Sequence, residues 1–330
     1  MRTLITGITG FVGSHLAEYI LDLNEGHEVF GICRWRSPRE HLARIYNKVT
    51  LLDADLVDLG ALIRHFKDVK PDVIFHLAAQ SYVLTSFNAP VHTLLSNVIG
   101  TTNLLEAVRI AEIDPIIHIC SSSEVYGQVR PEDVPIRETC QFRPASPYAV
   151  SKVSEDMVAL QYWLSYGVKT IRTRMFTHTG PRRGDVFAMS FFAKQVAAAE
   201  LGLREPVINV GNLESVRTFC DVRDAVRAYW TLVSRCAPGE VYNIGGNRTM
   251  KIGEALNLLL SFSQTAFTIR VDPRLLRPSD VTLQIPCIEK FKNETGWEPT
   301  IPLEQTFEDM LTYWRDEVRH NPWKAMTVVK

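Results

Sequence analysis

The chain has 330 residues, 46% of them hydrophobic, with 36 Lys and Arg against 37 Asp and Glu and a formal net charge of −1. That length and apolar content support a large core in two lobes, and the scattered, balanced charge excludes an extended nucleic-acid-binding face. No run of about eighteen apolar residues is present, the N-terminus is apolar for only a few residues before glycines, and the six cysteines form no CxxC pair. The expectation is therefore a cytoplasmic protein with no membrane partner and no signal peptide, with core thiols and no disulfide framework or metal site.

In chain order, residues 2–6 read as a short buried strand, followed by Gly7, Gly10 and Gly13, and 14–23 carry apolar residues at helical spacing. Residues 27–34 are a second strand, another precedes Asp55, 59–68 are helical, and 71–79 are again strand. Residues 94–113 form a long amphipathic helix, 116–127 a strand ending in small polar residues, 146–167 a helix, and 168–176 a strand. Strands alternating with helices predict an α/β chain with a Rossmann-type doubly wound parallel sheet, assigned to residues 1–180. Beyond about 180 the pattern loosens into helices near 186–201, 221–235 and 251–262 and a closing helix at 302–315. This is read as a smaller mixed C-terminal substrate lobe, 181–330, with segments near 212–245 returning to the main sheet.

Gly7-Ile8-Thr9-Gly10-Phe11-Val12-Gly13 is a GxxGxxG run between a predicted strand and a predicted helix. Glycines there let the backbone approach a pyrophosphate, and the helix N-terminus offers free N–H groups, so a dinucleotide site is predicted. The second strand ends in Cys33-Arg34-Trp35-Arg36, where an NAD site usually carries Asp or Glu for the ribose 2′-hydroxyl. Arg34 and Arg36 instead suit a 2′-phosphate and favour NADP. Asp55 and Leu56 are placed at the adenine end. Leu77, Ala78, Ala79 and Gln80 end a later strand with small side chains where a cofactor can pass close to the backbone.

Tyr148 and Lys152 lie four apart on a predicted helix and so share a face. A lysine one turn from a tyrosine can lower the phenol's pKa, and the phenolate can take a hydroxyl proton as hydride leaves the same carbon. Ser121, Ser122 and Ser123 end the preceding strand, where a serine can bond the reacting oxygen. Glu124 follows. A carboxylate there could remove a proton α to a new ketone, or could be structural, bound to backbone donors.

The segments GITGFVGSHLAE, LAAQSYVLTSF, NVIGTTNLLEAVR, SSSEVYG, RPASPYAVSK, GPRRG, VGNLESVRTF, RPSDV and TGWEPTIPLEQT resemble the extended short-chain dehydrogenases/reductases that modify nucleotide sugars. Within these, the chain is most similar, over 1–316, to the GDP-mannose 4,6-dehydratases and the related GDP-4-keto-6-deoxy-mannose reductases. The resemblance implies that Ser122 and Tyr148 grip the C4 oxygen, that Lys152 binds the nicotinamide ribose, and that Glu124 is the base at C5. It implies that Gln80 and Asn97 line the cofactor and substrate cleft and that Val83, Ser86 and Phe87 form a loop beside the sugar. Ser123 and Thr177 join the substrate side, and Arg183, Asn212, Arg217 and Arg277 hold nucleotide or pyrophosphate. The implied cycle oxidises C4, eliminates water across C5–C6 and returns the same hydride to C6. NADP(H) stays bound and recycles, and no metal is needed because the ketone is the electron sink.

Three features depart from the pattern. Thr177 stands where the family commonly has asparagine, Thr218 stands where it often has aspartate, and MSFFAKQ (189–195) looks more like the reductases, whereas PRRG and the Arg-rich turn at 34–36 look more like the dehydratases and Glu124 is compatible with both. The implied function is a GDP-mannose 4,6-dehydratase. The alternatives are the NADPH-dependent 4-reductase, an epimerase or a dehydratase of another sugar nucleotide, and a non-catalytic NADP-binding sensor. The resemblance also implies a homodimer or homotetramer, with helices around 98–110 and 148–165 as candidate interface elements.

Overall fold

The computed structural model describes residues 1–326. Its strands are β1 (Arg2–Thr6), β2 (Glu28–Cys33), β3 (Val49–Asp53), β4 (Val73–His76), β5 (Ile116–Ser122), β6 (Thr170–Met175), β7 (His178–Thr179), β8 (Val207–Val210), β9 (Val216–Asp221), β10 (Val241–Ile244), β11 (Arg248–Lys251), β12 (Thr268–Val271) and β13 (Leu283–Gln284). The helices are α1 (Phe11–Asp22), α2 (Leu59–Val69), α3 (Val83–Asn88), α4 (Pro90–Leu94), α5 (Gly100–Ile110), α6 (Pro147–Tyr166), α7 (Ala188–Glu200), α8 (Val222–Arg235), α9 (Ile252–Leu260), α10 (Glu289–Thr295) and α11 (Leu303–His320).

Seven strands form one parallel sheet in the order β10-β6-β5-β4-β1-β2-β3. The winding direction reverses between β1 and β4, which opens a crevice at the carboxyl ends of those two strands. Residues of α1 and α8 pack on one face, and residues of α2, α5 and α6 on the other. Coverage on both faces explains why β4 is buried at every position and reads as an apolar run up to His76, whose ring nitrogens meet Thr6 Oγ1 and Thr101 Oγ1 at 2.9 Å each. Strand β6 is equally buried although it carries Arg172 and Arg174. Spaced two apart, they project to the same side and meet Asp156 of α6.

The seventh strand, β10, and helix α8 come from beyond residue 220, and Phe291 and Trp297 join the same core. Helices α7, α9 and α11 pack with β8 and β9 around a separate apolar centre that includes Phe192, Leu256 and Phe307. Strand β9 sits between β11 and β13 and also pairs with β7, while β8 pairs with β12.

Three local predictions change. The strand expected over 116–127 stops at Ser122, because the Ser122 hydroxyl accepts the Glu124 N–H at 3.2 Å and starts a 3₁₀ turn over Ser123–Tyr126. The helix expected over 94–113 starts earlier, at Pro90, and contains a π-turn at Leu95–Ile99. The loop expected around Val83, Ser86 and Phe87 is the short helix α3.

Candidate active site

The glycine run builds one wall of the site. Gly7 adopts a left-handed φ of +72°, donates its N–H to Ile32 O at 3.1 Å, and accepts from Gly10 N–H at 2.9 Å. A Cβ on Gly13 would stand 2.3 Å from Gly7 O and 2.8 Å from Ile8 Cα, so the turn needs glycine there. Helix α1 begins immediately afterwards with no side-chain cap at Gly10. Its first N–H groups therefore face the crevice, an arrangement suited to an anion.

A cavity of about 720 Å³ runs from this loop across the sheet edge into the second lobe. Gly7, Thr9, Gly10, Phe11, Val12 and Gly13 line its start, and Arg34, Asp55 and Leu56 flank it. Leu77, Ala78, Ala79, Gln80 and Val83 form its middle. Ser122, Ser123, Glu124, Tyr148, Lys152 and Thr177 lie deeper, and Arg183, Asn212, Arg217 and Arg277 complete the far side.

Several expected residues lie outside that lining. The Arg36 guanidinium stacks 4.4 Å over the Trp35 ring, and the chain has turned after Arg34, whose carbonyl accepts Ser37 N–H at 2.8 Å. Ser37 lines the cavity in its place. Asn97 is fully buried in the π-turn. Its side chain accepts Gln80 N–H at 2.7 Å and donates to Gln80 O at 3.0 Å and Ser151 Oγ at 2.9 Å, so it pins the end of β4 from behind. Ser86 is fully buried and donates to Val83 O at 2.6 Å within α3. Phe87 is likewise absent from the lining. Thr218 points away as well, because alternation along β9 sends Arg217 and Phe219 into the cavity and Thr218 toward Thr249 of β11 (Oγ1 to Oγ1, 2.6 Å).

The reactive groups sit where β5 and α6 meet. Ser146 caps α6 by accepting Ala149 N–H at 3.0 Å, and Pro147 opens the first turn. This sets Tyr148 and Lys152 on the turn facing β5. Lys152 Nζ donates to Cys120 O and to Glu155 Oε2, each at 2.9 Å. Burial pushes the Tyr148 phenol above its ordinary range, against the downward pull of the Lys152 ammonium and a hydrogen bond with Ser122. The expected lysine effect is present, and burial outweighs it in the free protein. Burial also drives His178, which stacks on Phe11 at 5.8 Å, down to about 3, so it is neutral at physiological pH.

Glu124 is held at its rim. Gln284 Nε2 donates to its Oε1 at 3.4 Å, and Arg277 Nη1 lies 3.8 Å from the same oxygen. Asp280 organises the cationic side: its Oδ2 accepts from Asn212 Nδ2 at 2.8 Å and Ser215 Oγ at 2.9 Å, and its Oδ1 lies 3.8 Å from both Arg217 and Arg277. Sequence reasoning missed Asp280 as a site residue, although it stands inside the RPSDV segment. Gln284 had no signal at all, since β13 is two residues long. Arg183 is wedged 3.9 Å from the Phe187 ring centre and 5.3 Å from that of Phe11, and burial lowers its guanidinium to about 10. Partly compensated cations of this kind suit a polyanionic ligand.

Comparison with known proteins agrees with this geometry. The family model described as GDP-mannose 4,6 dehydratase matches residues 4–310. GDP-6-deoxy-D-mannose reductase of Pseudomonas aeruginosa is 33% identical over 318 residues, covering 96% of this chain and 98% of that protein. GDP-mannose 4,6-dehydratase of Yersinia enterocolitica is 33% identical over 349 residues, covering 94% and 92%. The solved structure of RMD from Pseudomonas aeruginosa, complexed with NADPH, superposes with a TM-score of 0.83 at 31% identity, covering 96% of this chain and 99% of that one. The matched span takes in the glycine turn, the serine-tyrosine-lysine centre and the arginines opposite them, and the chain belongs to the GDP-mannose 4,6-dehydratase family of extended short-chain dehydrogenase/reductase enzymes.

Proposed function

We propose that the chain is an NADP-dependent GDP-mannose 4,6-dehydratase. The observation that carries this reading is Glu124, a carboxylate in the same cavity as Ser122, Tyr148 and Lys152 and restrained by Gln284 and Arg277. Exchange of hydride at a single carbon does not need such a base, even in an enzyme that retains it, whereas loss of water across C5–C6 requires one.

The residues fit the cofactor. The glycine turn leaves room and N–H groups for a pyrophosphate, and Arg34 supplies the cation for a 2′-phosphate. When bound, the nicotinamide supplies reversible hydride acceptance. Tyr148 takes the C4 hydroxyl proton while Ser122 holds the same oxygen. Glu124 takes the acidified C5 proton and delivers it to the departing 6-hydroxyl. Arg183, Arg217, Arg277 and Asn212 seat the nucleotide diphosphate, and the surrounding walls keep water from the enone.

A second reading, the 4-reductase, is favoured by one observation: the Pseudomonas reductase aligns almost without gaps, 318 positions for 96% of 330 residues. One assay separates the two. Mass spectrometry after incubation with GDP-mannose and catalytic NADP⁺ should show loss of one water with no net cofactor change. Glu124→Gln should slow that step by about 10²–10⁴-fold and leave NADPH binding intact. Inert GDP-mannose, together with stoichiometric NADPH oxidation on the 4-keto-6-deoxy sugar, would establish the reductase.

We further propose that the protein self-associates through the outer faces of α4 and α6 and the π-turn between α4 and α5. Val91, Leu95, Ile99, Val150, Met157 and Leu164 are all exposed there. Sedimentation velocity at micromolar concentration should give a dimer or tetramer, and a monomer would reject the assignment.

A further inference from the structure

Gln284 is a buried amide in a segment with little regular structure. It is 3% exposed and lines the cavity, and its only side-chain hydrogen bond among the described residues goes to Glu124 Oε1 at 3.4 Å. The backbone around it is pinned on both sides. Val216 N–H donates to Thr282 O and Ile136 N–H donates to Ile285 O, each at 2.8 Å, and β13 pairs with β9 so that Gln284 stands beside Arg217. Register partners in a parallel pair project to the same face, so Arg217 and Gln284 enter the cavity together. An apolar side chain of similar size would pack there without the cost of burying an amide, so packing alone gives no reason for glutamine at this position.

Two donors address the same oxygen of Glu124. Arg277 Nη1 lies 3.8 Å from Oε1, while Oε2 receives no hydrogen bond among the described residues. The two donors are not equivalent. Arg277 also lies 3.8 Å from Asp280 Oδ1, in the cationic group with Arg217. Its charge is shared between Glu124 and Asp280, and a bound diphosphate draws it away from Glu124. A guanidinium in contact with a base also stabilises the charged form and weakens it as a proton acceptor. Gln284 carries no charge, so it holds Oε1 without that effect and is not drawn to a diphosphate.

We propose that Gln284 is the positioning residue of the elimination step: it fixes Oε1 of Glu124 while the substrate's diphosphate takes Arg277, and so keeps Oε2 aimed at the C5 proton. The C5–H electron pair becomes the second C5–C6 bond as the C6–O bond breaks, and the proton passes through Oε2 to the departing hydroxyl, which leaves as water. The long contact of the free protein tightens in the complex. No other neighbour does this work. Ser122 Oγ accepts the backbone N–H of Glu124 and leaves its carboxylate free to swing. Arg217 is lowered by burial and supported by the charges of Glu124 and Asp280, but its Nη1 and Nη2 are engaged by Val216 O and Val281 O. The inference rests on the dehydratase reading above.

The test compares Gln284→Leu with the parent on GDP-mannose, unlabelled and carrying deuterium at C5. The variant's kcat should fall about 10–100-fold with KM nearly unchanged, and C5 deuterium should slow the variant more than the parent. In a single turnover with bound NADP⁺, reduced-nicotinamide absorbance should rise at the parent's initial rate, because C4 oxidation does not use Glu124. Equal slowing of both steps would show lost packing and overturn the proposal, as would a parent-like kcat. Should that variant not fold, Gln284→Met, unbranched and without a donor, takes its place with the same expectations. Arg277→Gln separates the two donors: KM should rise while the C5 isotope effect on kcat stays at the parent's value. If it reproduces the raised isotope effect instead, Arg277 holds the base and the proposal fails. A parent that leaves GDP-mannose untouched fails before any variant is compared, and removes the functional reading and this role with it.

Discussion

Replacing Tyr148 with Phe is expected to lower kcat by about 10³-fold while NADPH still binds. The ring is buried on the first turn of α6 and fills its space without the hydroxyl, so the fold should survive. What disappears is the one group placed to take the hydroxyl proton, with Ser122 and Lys152 arranged around it. Because burial sets the phenol above its ordinary range, parent activity in the C4-oxidising direction should climb with pH as the phenolate population grows. The variant should lose that dependence along with the rate. Single-turnover kinetics with excess cofactor measure both, and retention of more than a tenth of parent kcat would remove Tyr148 from the proton-transfer role.

The second large effect is on stability. Asp156→Asn is expected to destabilise the fold by about 3–5 kcal/mol and to lower Tm by several degrees. Asp156 is fully buried and bonds Arg172 Nη1 at 2.9 Å and Arg174 Nε at 2.8 Å. Its amide would leave two buried guanidinium charges with only neutral acceptors: Gly239 O for Arg172, and Glu138 O and the Tyr126 hydroxyl for Arg174. The same contact docks α6, with Tyr148 and Lys152 on its first turns, against β6. Thermal unfolding followed by circular dichroism gives the answer. A parent-like Tm would mean that the carbonyl and hydroxyl acceptors suffice, and that the ion pair contributes little beyond the charge burial it relieves.

The sheet, the glycine turn and the Tyr148–Lys152 pair were legible because each has a short-range signature: short β-branched, apolar-rich strands alternating with helical segments, glycines where a side chain would collide, and two reactive groups four residues apart. The misplacements have physical reasons. Arg34 and Arg36 are equivalent in sequence, and only the turn that follows decides which one faces the cavity. Thr218 was suspected because of its neighbours, yet strand alternation sends it to the opposite side from Arg217. Asn97 and Ser86 match segments that border the cleft but point inward, where they hold backbone. Gln284 and Glu155 were invisible for another reason. A polar residue in a loose segment, or a charge pair spaced three apart on a helix, ordinarily reads as solvated surface, and only the packing of distant strands buries them here.

The π-turn at Leu95–Ile99 bears on which sequence changes this part of the chain can absorb. It holds one residue more than a regular helical turn, and that surplus aims Asn97 at both backbone groups of Gln80 while Leu104, Leu105, Ala107 and Val108 of α5 still face the sheet. Deleting one residue there would restore an even helix with its flanking faces nearly unrotated, because the π-turn absorbs its surplus residue by underwinding, and the local swelling that aims Asn97 would be lost. The apolar face of α5 would stay on the sheet, and the Asn97 amide clamp on Gln80 would miss its target. This stretch should therefore drift in residue identity far more readily than in length.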